Sequence, residues 1–215
     1  MGLRLKTAPA TEPVSLVEAK LYLRVDHTEE DALITELIES ARQMVEEYIQ
    51  RALITQTWTM FLDRFPSGKS PDWWDGTVSA HINTLNEGTR AIGIPRPPLI
   101  SVTHLKSYDD ADTATTFSAS SYIVDTTKQP GRIILKNSEM WPAALRSGNA
   151  VEIEFIAGYG AASAVPKALK NAMYLILSSM YECRSSATDM PGAAKKLMNP
   201  YRVLSLGGQN DQSMG

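Results

Sequence analysis

Between Thr28 and Arg51 the chain repeats Leu33, Ile34, Leu37, Ile38, Ala41, Met44, Val45, Tyr48 and Ile49 at spacings of three and four, the period of an α-helix with one apolar face. Such a helix cannot stand alone. Burying its large apolar side chains at ~1.5–3 kcal/mol each does not offset ordering the segment at ~1–2 kcal/mol per residue. A matching stripe stands far down the chain: Leu169, Ala172, Met173, Ile176, Leu177, Met180 and Tyr181, behind Pro166, a residue suited to a first helical turn. Any fold must therefore bring these two helices together around whatever lies between them.

Between them the period falls to two. Alternation predicts strands at 55–63, 99–107, 121–125, 132–136 and 150–157, with a short piece at 91–94. In the last full strand Val151, Ile153 and Phe155 share one face, with Glu152 and Glu154 on the other. The turn residues of "KQPGR", 128–132, predict a hairpin. At the N-terminal end, Ser15 with Glu18 three residues on forms a capping box for a short helix over 15–24, and Thr28 is the predicted N-cap of the long helix. The fold class expected is α+β: a bundle of N- and C-terminal helices, an inserted antiparallel β-sandwich or barrel-like unit, and an extended C-terminal arm. The divisions are an extension at 1–14, helices at 15–52 and 164–185, the β-unit at 53–163 with a long loop at 64–90, and a docking arm at 186–215.

Charge restricts the partners. With 21 Lys and Arg against 24 Asp and Glu, the chain has a formal net charge of -3, not the basic surplus of a protein that coats bare nucleic acid. The single cysteine, Cys183, leaves no internal disulfide framework and reads as a small buried hydrophobe. No window approaches the ~20 apolar residues that cross a bilayer, and no membrane partner is expected.

The chemistry of catalysis is hard to find. Gly158-x-Gly160-x-x-Ser163 lacks the third glycine of a dinucleotide fingerprint and follows an alternating strand, so it reads as a connection needing glycine at positive φ. His27, His81 and His104 are scattered, and Asp109, Asp110 and Asp112 lack the Gly and Glu that complete a calcium loop. Nothing matches a nucleophile elbow or a phosphate-binding loop. No catalytic residue, metal site or cofactor is expected.

Three features look outward instead. Trp73 and Trp74, in the long loop, either cover the β-unit's own core or anchor an interface, with glycan stacking a third use. Glu36, Glu39, Glu46 and Glu47 belong to a long acidic helix that also carries Glu29, Glu30 and Asp31; on a ring they would be acids lining a channel. The segment of Lys195, Lys196, Leu197, Met198, Tyr201, Arg202, Val203 and Leu204 is an apolar cluster with basic residues around it, an arm to dock on a partner. Pro95, Pro97 and Pro98 around Arg96 form a rigid elbow before a strand, where their missing N–H groups cost least.

Six phrases in order, "EPVSLVEAKLYLRVDHTEEDALITELIESARQMVEEYIQRALITQTW", "IPRPPLISVTHL", "YIVDTTKQPGRI", "WPAALRSGNAVEIEFIAGYG", "VPKALKNAMYLILSSMYE" and "NPYRVLSL", resemble the head-to-tail connector (adaptor, or head-completion) proteins of tailed bacteriophages, prophages and gene transfer agents. The resemblance implies a non-catalytic virion neck protein, assembled in the host cytoplasm. It implies a ring, usually twelve-fold, beneath the portal protein, extending the DNA channel, with roles in head completion and DNA retention. The partners implied are the portal protein, further copies of the chain, a tail or neck completion protein, and passing double-stranded DNA in transient, non-specific contact. A β-domain that binds a carbohydrate or receptor through Trp73 and Trp74 is the alternative.

Overall fold

A computed structural model describes residues 1–66, 90–183 and 190–203. It is α+β, with four α-helices and two antiparallel sheets among the described residues. The strands are β1 (Gly2–Thr7), β2 (Gln56–Leu62), β3 (Ala91–Gly93), β4 (Leu99–Tyr108), β5 (Ala114–Thr116), β6 (Tyr122–Asp125), β7 (Arg132–Leu135) and β8 (Val151–Ala157). The helices are α1 (Leu16–Leu23), α2 (Asp31–Ile49), α3 (Lys167–Glu182) and α4 (Gly192–Met198).

The two stripes read from the sequence meet. Ile34, Ile38, Ala41, Val45 and Ile49 of α2 and Leu169, Ala172, Met173, Ile176 and Leu177 of α3 are buried in one cluster, with Val14, Ala19, Ala194 and Met198. The capping box at Ser15 forms as the spacing requires: the Ser15 hydroxyl accepts from the Glu18 N–H, and the Glu18 carboxylate accepts from the Ser15 N–H at 2.8 Å. Those bonds hold the Glu18 carboxyl below its ordinary range.

The start of α2 differs from expectation. Its N-cap is Glu30, not Thr28. The Thr28 carbonyl instead accepts from the Asp31 N–H at 3.2 Å, closing a turn. The Tyr181 hydroxyl of α3 donates to the Glu30 carboxylate, so a contact between helices fixes this end where the local capping rule does not. Cys183 also departs from expectation: it lies just past α3 and is exposed.

The five-stranded sheet runs β1-β2-β8-β4-β5 and the three-stranded sheet β3-β7-β6. The central strand, β8, turns Val151, Ile153, Phe155 and Ala157 into a core shared with Met60, Leu105, Ile92, Tyr122 and Ile133, residues of both sheets. Its other face is covered too. Glu154 pairs with Lys6 of β1, and Glu152 accepts from the Tyr108 hydroxyl at 2.7 Å and pairs with His104 at 2.9 Å. Two strands escaped the alternation reading: β1, which pairs with β2, and β5, a three-residue edge strand. The hairpin at 128–132 joins β6 to β7. At its base Asp125 accepts from the Thr127 hydroxyl and from Arg132, which lowers its carboxyl to about 2.

The glycine connection after β8 is a packing requirement. Gly158 has φ +133, and a Cβ there would fall on the Ile54 carbonyl. Only glycine fits both demands.

Candidate assembly surfaces

A protein that works by contact needs surfaces held in fixed relation, and here the end of α2 fixes them. Arg42 and Glu46 are buried in the helix, 4% and 7% exposed, one turn apart on one face. Glu46 accepts from Arg42 Nη1 at 2.8 Å, from the Leu53 N–H at 2.7 Å and from Gln56 Nε2 at 2.5 Å. Arg42 also donates to Glu12 at 2.8 Å. The Arg42–Glu46 pair thus ties the N-terminal segment, α2 and the entry to β2. Burial pushes the Glu46 carboxyl above its ordinary range against the pull of these donors, while Glu46 and Glu12 raise Arg42 against its own desolvation.

The proline elbow closes the same junction. Arg96 sits at φ 59, which aims its guanidinium back at α2. It donates to the Glu46 carbonyl at 3.0 Å and to the Glu47 carboxylate at 2.7 Å. A cation at the last turn of a helix also meets the negative end of its dipole. The Arg96 bond holds Glu47 below the ordinary carboxylate range, and the guanidinium lies 5.3 Å from the Trp58 ring centroid. The Pro97 carbonyl accepts from the Ala52 N–H and the Pro98 carbonyl from the Gly158 N–H. Arg96 is therefore a clamp between helices and sheets, where the sequence shows only a rigid proline elbow leading into a strand.

The expected sites come out unevenly. Glu36, Glu39 and Glu47 are exposed on α2, but Glu46 is inside the junction and cannot face a channel. Trp73, Trp74, His81 and Leu204 lie outside the described residues. Residues 192–203 are no extended arm: Met198 is 0% exposed in the helical core. The Tyr48 hydroxyl donates to Asn199 at 2.8 Å, Arg51 donates to the Tyr201 carbonyl, and the Val203 N–H donates to the Ile49 carbonyl. Arg202 stacks over Tyr48 at 5.2 Å, and Leu197 packs at the edge of the core. Lys195 and Lys196 are exposed. The spacing of Ala194 and Met198, i and i+4, was the available signal that this segment is a packed helix.

One surface was missed altogether. On α1, Val17 and Leu21 are 77% and 80% exposed, one turn apart. The signal was present: "LVEAKLYL" is apolar on both sides, and a helix apolar all round is normally buried all round.

Other chemistry is sparse. Among the described residues no group of three His, Cys, Asp or Glu is placed to hold a metal, and no helix is long and apolar enough to cross a membrane. Asp109 accepts from the Ala111 and Thr113 N–H groups in the β4–β5 turn, and Asp112 pairs with Arg146.

Residues 13–107 match the family of phage gp6-like head-tail connector proteins. Within that segment the chain resembles head-tail connectors. Solved structures extend the likeness to nearly the whole length. A chain from the neck of an empty gene transfer agent particle, computed with C6 symmetry, is 25% identical with TM-score 0.74, covering 97% of this chain and 99% of its own. A chain from the virion of a native gene transfer agent particle is 26% identical with TM-score 0.74 and the same coverage. A third, from the neck of a native particle computed with C12 symmetry, is 26% identical with TM-score 0.71, again over 97% and 99%. No curated protein matches. The resemblance read from the sequence is thus upheld, and the comparisons agree on a structural protein of a virion neck.

Proposed function

We propose that the head-tail connector-like chain is an adaptor: copies form a ring beneath the portal, extend the DNA channel and give the tail or a neck completion protein its platform. The role is structural and needs no catalysis or cofactor. The observation that carries it is likeness over nearly the full chain to chains of gene transfer agent necks, one computed with C12 symmetry. A rigid junction between helices and sheets supports it, since a ring closes only when each subunit holds two different surfaces at a constant angle.

Portal docking falls to Leu204 and the chain beyond, because Met198, Tyr201, Arg202 and Val203 are held on the helical core. Glu36 and Glu39 are the acids proposed to face the channel, where fixed negative charge keeps passing DNA from sticking. Mass photometry of purified portal rings mixed with the chain tests the reading. The expected result is discrete mass steps above the portal alone, up to a full ring. Portal rings that gain no mass at any concentration would sink it.

A further inference from the structure

The apolar face of α1 has an exposed position every turn, and the remainder of the molecule says what covers it. α1 packs against α2 and α3 through its inner side, leaving Val17 and Leu21 outward, with Tyr22 half-exposed where it stacks on Tyr174 at 4.9 Å. Glu18 of α1 is exposed, and so are Asp26 and Glu29, with Arg24 and His27, in the connection from α1 to α2. The patch lies at the start of α2, where Lys20 pairs with Asp31 at 2.6 Å.

The other end of α2 carries the opposite charge. There Asn199 bonds Tyr48, and residues 190–203 contain Lys195, Lys196 and Arg202 but no acid. Lys195 and Lys196 are exposed beside exposed Ala193 and Pro200 and half-buried Leu197. Asp31 and Tyr48 are separated by most of the helix, roughly 25 Å at 1.5 Å per residue. Two surfaces of opposite sign, each with an apolar centre, sit at opposite ends of one rigid helix. Head-to-tail pairing sets acid against base at every contact.

Resting on the neck reading above, we propose that the α1 face of one copy docks on the α4 face of the next, Val17 and Leu21 against Ala193, Leu197 and Pro200, with Asp26 and Glu29 facing Lys195 and Lys196. This is the head-to-tail contact of the ring. An equal mixture of light and isotopically heavy full-length protein, alone and with portal rings, is cross-linked with a zero-length carbodiimide that joins amines to carboxylates. Heavy-to-light links from Lys195 or Lys196 to Asp26 or Glu29 are expected, reduced about tenfold or more by Leu21→Asp, a loss of the apolar contact. Leu21 is outside the core, so the circular-dichroism melt of that variant should match the parent.

Absence of such links in both arms, links at unrelated surfaces, or links undiminished by Leu21→Asp would overturn the pairing. Links from α1 to the portal would also overturn it, assigning the face to a different partner. The two readings separate cleanly. Portal binding without these links leaves the neck role standing, whereas a chain that forms them yet never binds portal keeps the pairing and loses the adaptor role.

Discussion

Glu46→Ala should unfold the protein at a temperature lower by ~6–20 °C. The side chain is 7% exposed and answers three donors: Arg42, the Leu53 N–H and Gln56. Removing it leaves a buried guanidinium balanced by Glu12 and, more distantly at 3.7 Å, by the exposed Glu39, and it orphans a backbone N–H and an amide. Breaking a buried ion pair from one side costs ~3–5 kcal/mol, which at this chain length corresponds to roughly 2–4 °C per kcal/mol. Glu46→Gln keeps the size and an acceptor for Leu53, so its loss should be smaller. Thermal melts of the two variants beside the parent check this. Equal melting temperatures for Glu46→Ala and the parent would mean that the junction does not join helices to sheets as described.

Met198→Ala should cost ~2–5 kcal/mol, the range for emptying a fully buried large apolar site. A surface change on the same short helix, Lys195→Glu, should stay within about 0.5 kcal/mol. Denaturant unfolding with an unchanged slope would measure both. The contrast matters because a detachable arm predicts the reverse: Met198→Ala would then be silent in stability and would act only on partner binding. Met198 lies in the cluster with Ala194, Ile176 and Ile49, and the backbone that follows is tied to α2 by the Val203 N–H. Removal of residues 192–203 is therefore expected to destabilise the helical unit.

What the chain discloses before folding follows from period and length. α2 and α3 were legible because each carries a long apolar stripe, and β8 because it alternates cleanly from Val151 to Phe155. β5 was not, since Ala114–Thr116 is short and exposed throughout. β1 is an edge strand whose place depends on pairing with β2 and on Lys6 reaching Glu154, a partner distant in sequence. Charge was the least legible feature. Glu46 and Glu47 are neighbours of the same type, yet one is the centre of the junction and the other is exposed and clamped by Arg96. Helical phase alone separates them, and the expectation of channel-facing acids ignored that phase. The same oversight hid Val17 and Leu21, whose excess apolarity has meaning only once α2 and α3 have taken the other side of α1.

The central claim is that this chain is a ring-forming subunit of a virion neck, and an electron cryomicroscopy reconstruction of the neck of particles assembled with it tests that claim most directly. The account predicts a ring of this α+β chain directly beneath the portal, with the α1 face of each copy against α4 of its neighbour. A complete neck in which this chain is absent, or the chain found only on the capsid shell or at the tail tip, would contradict it.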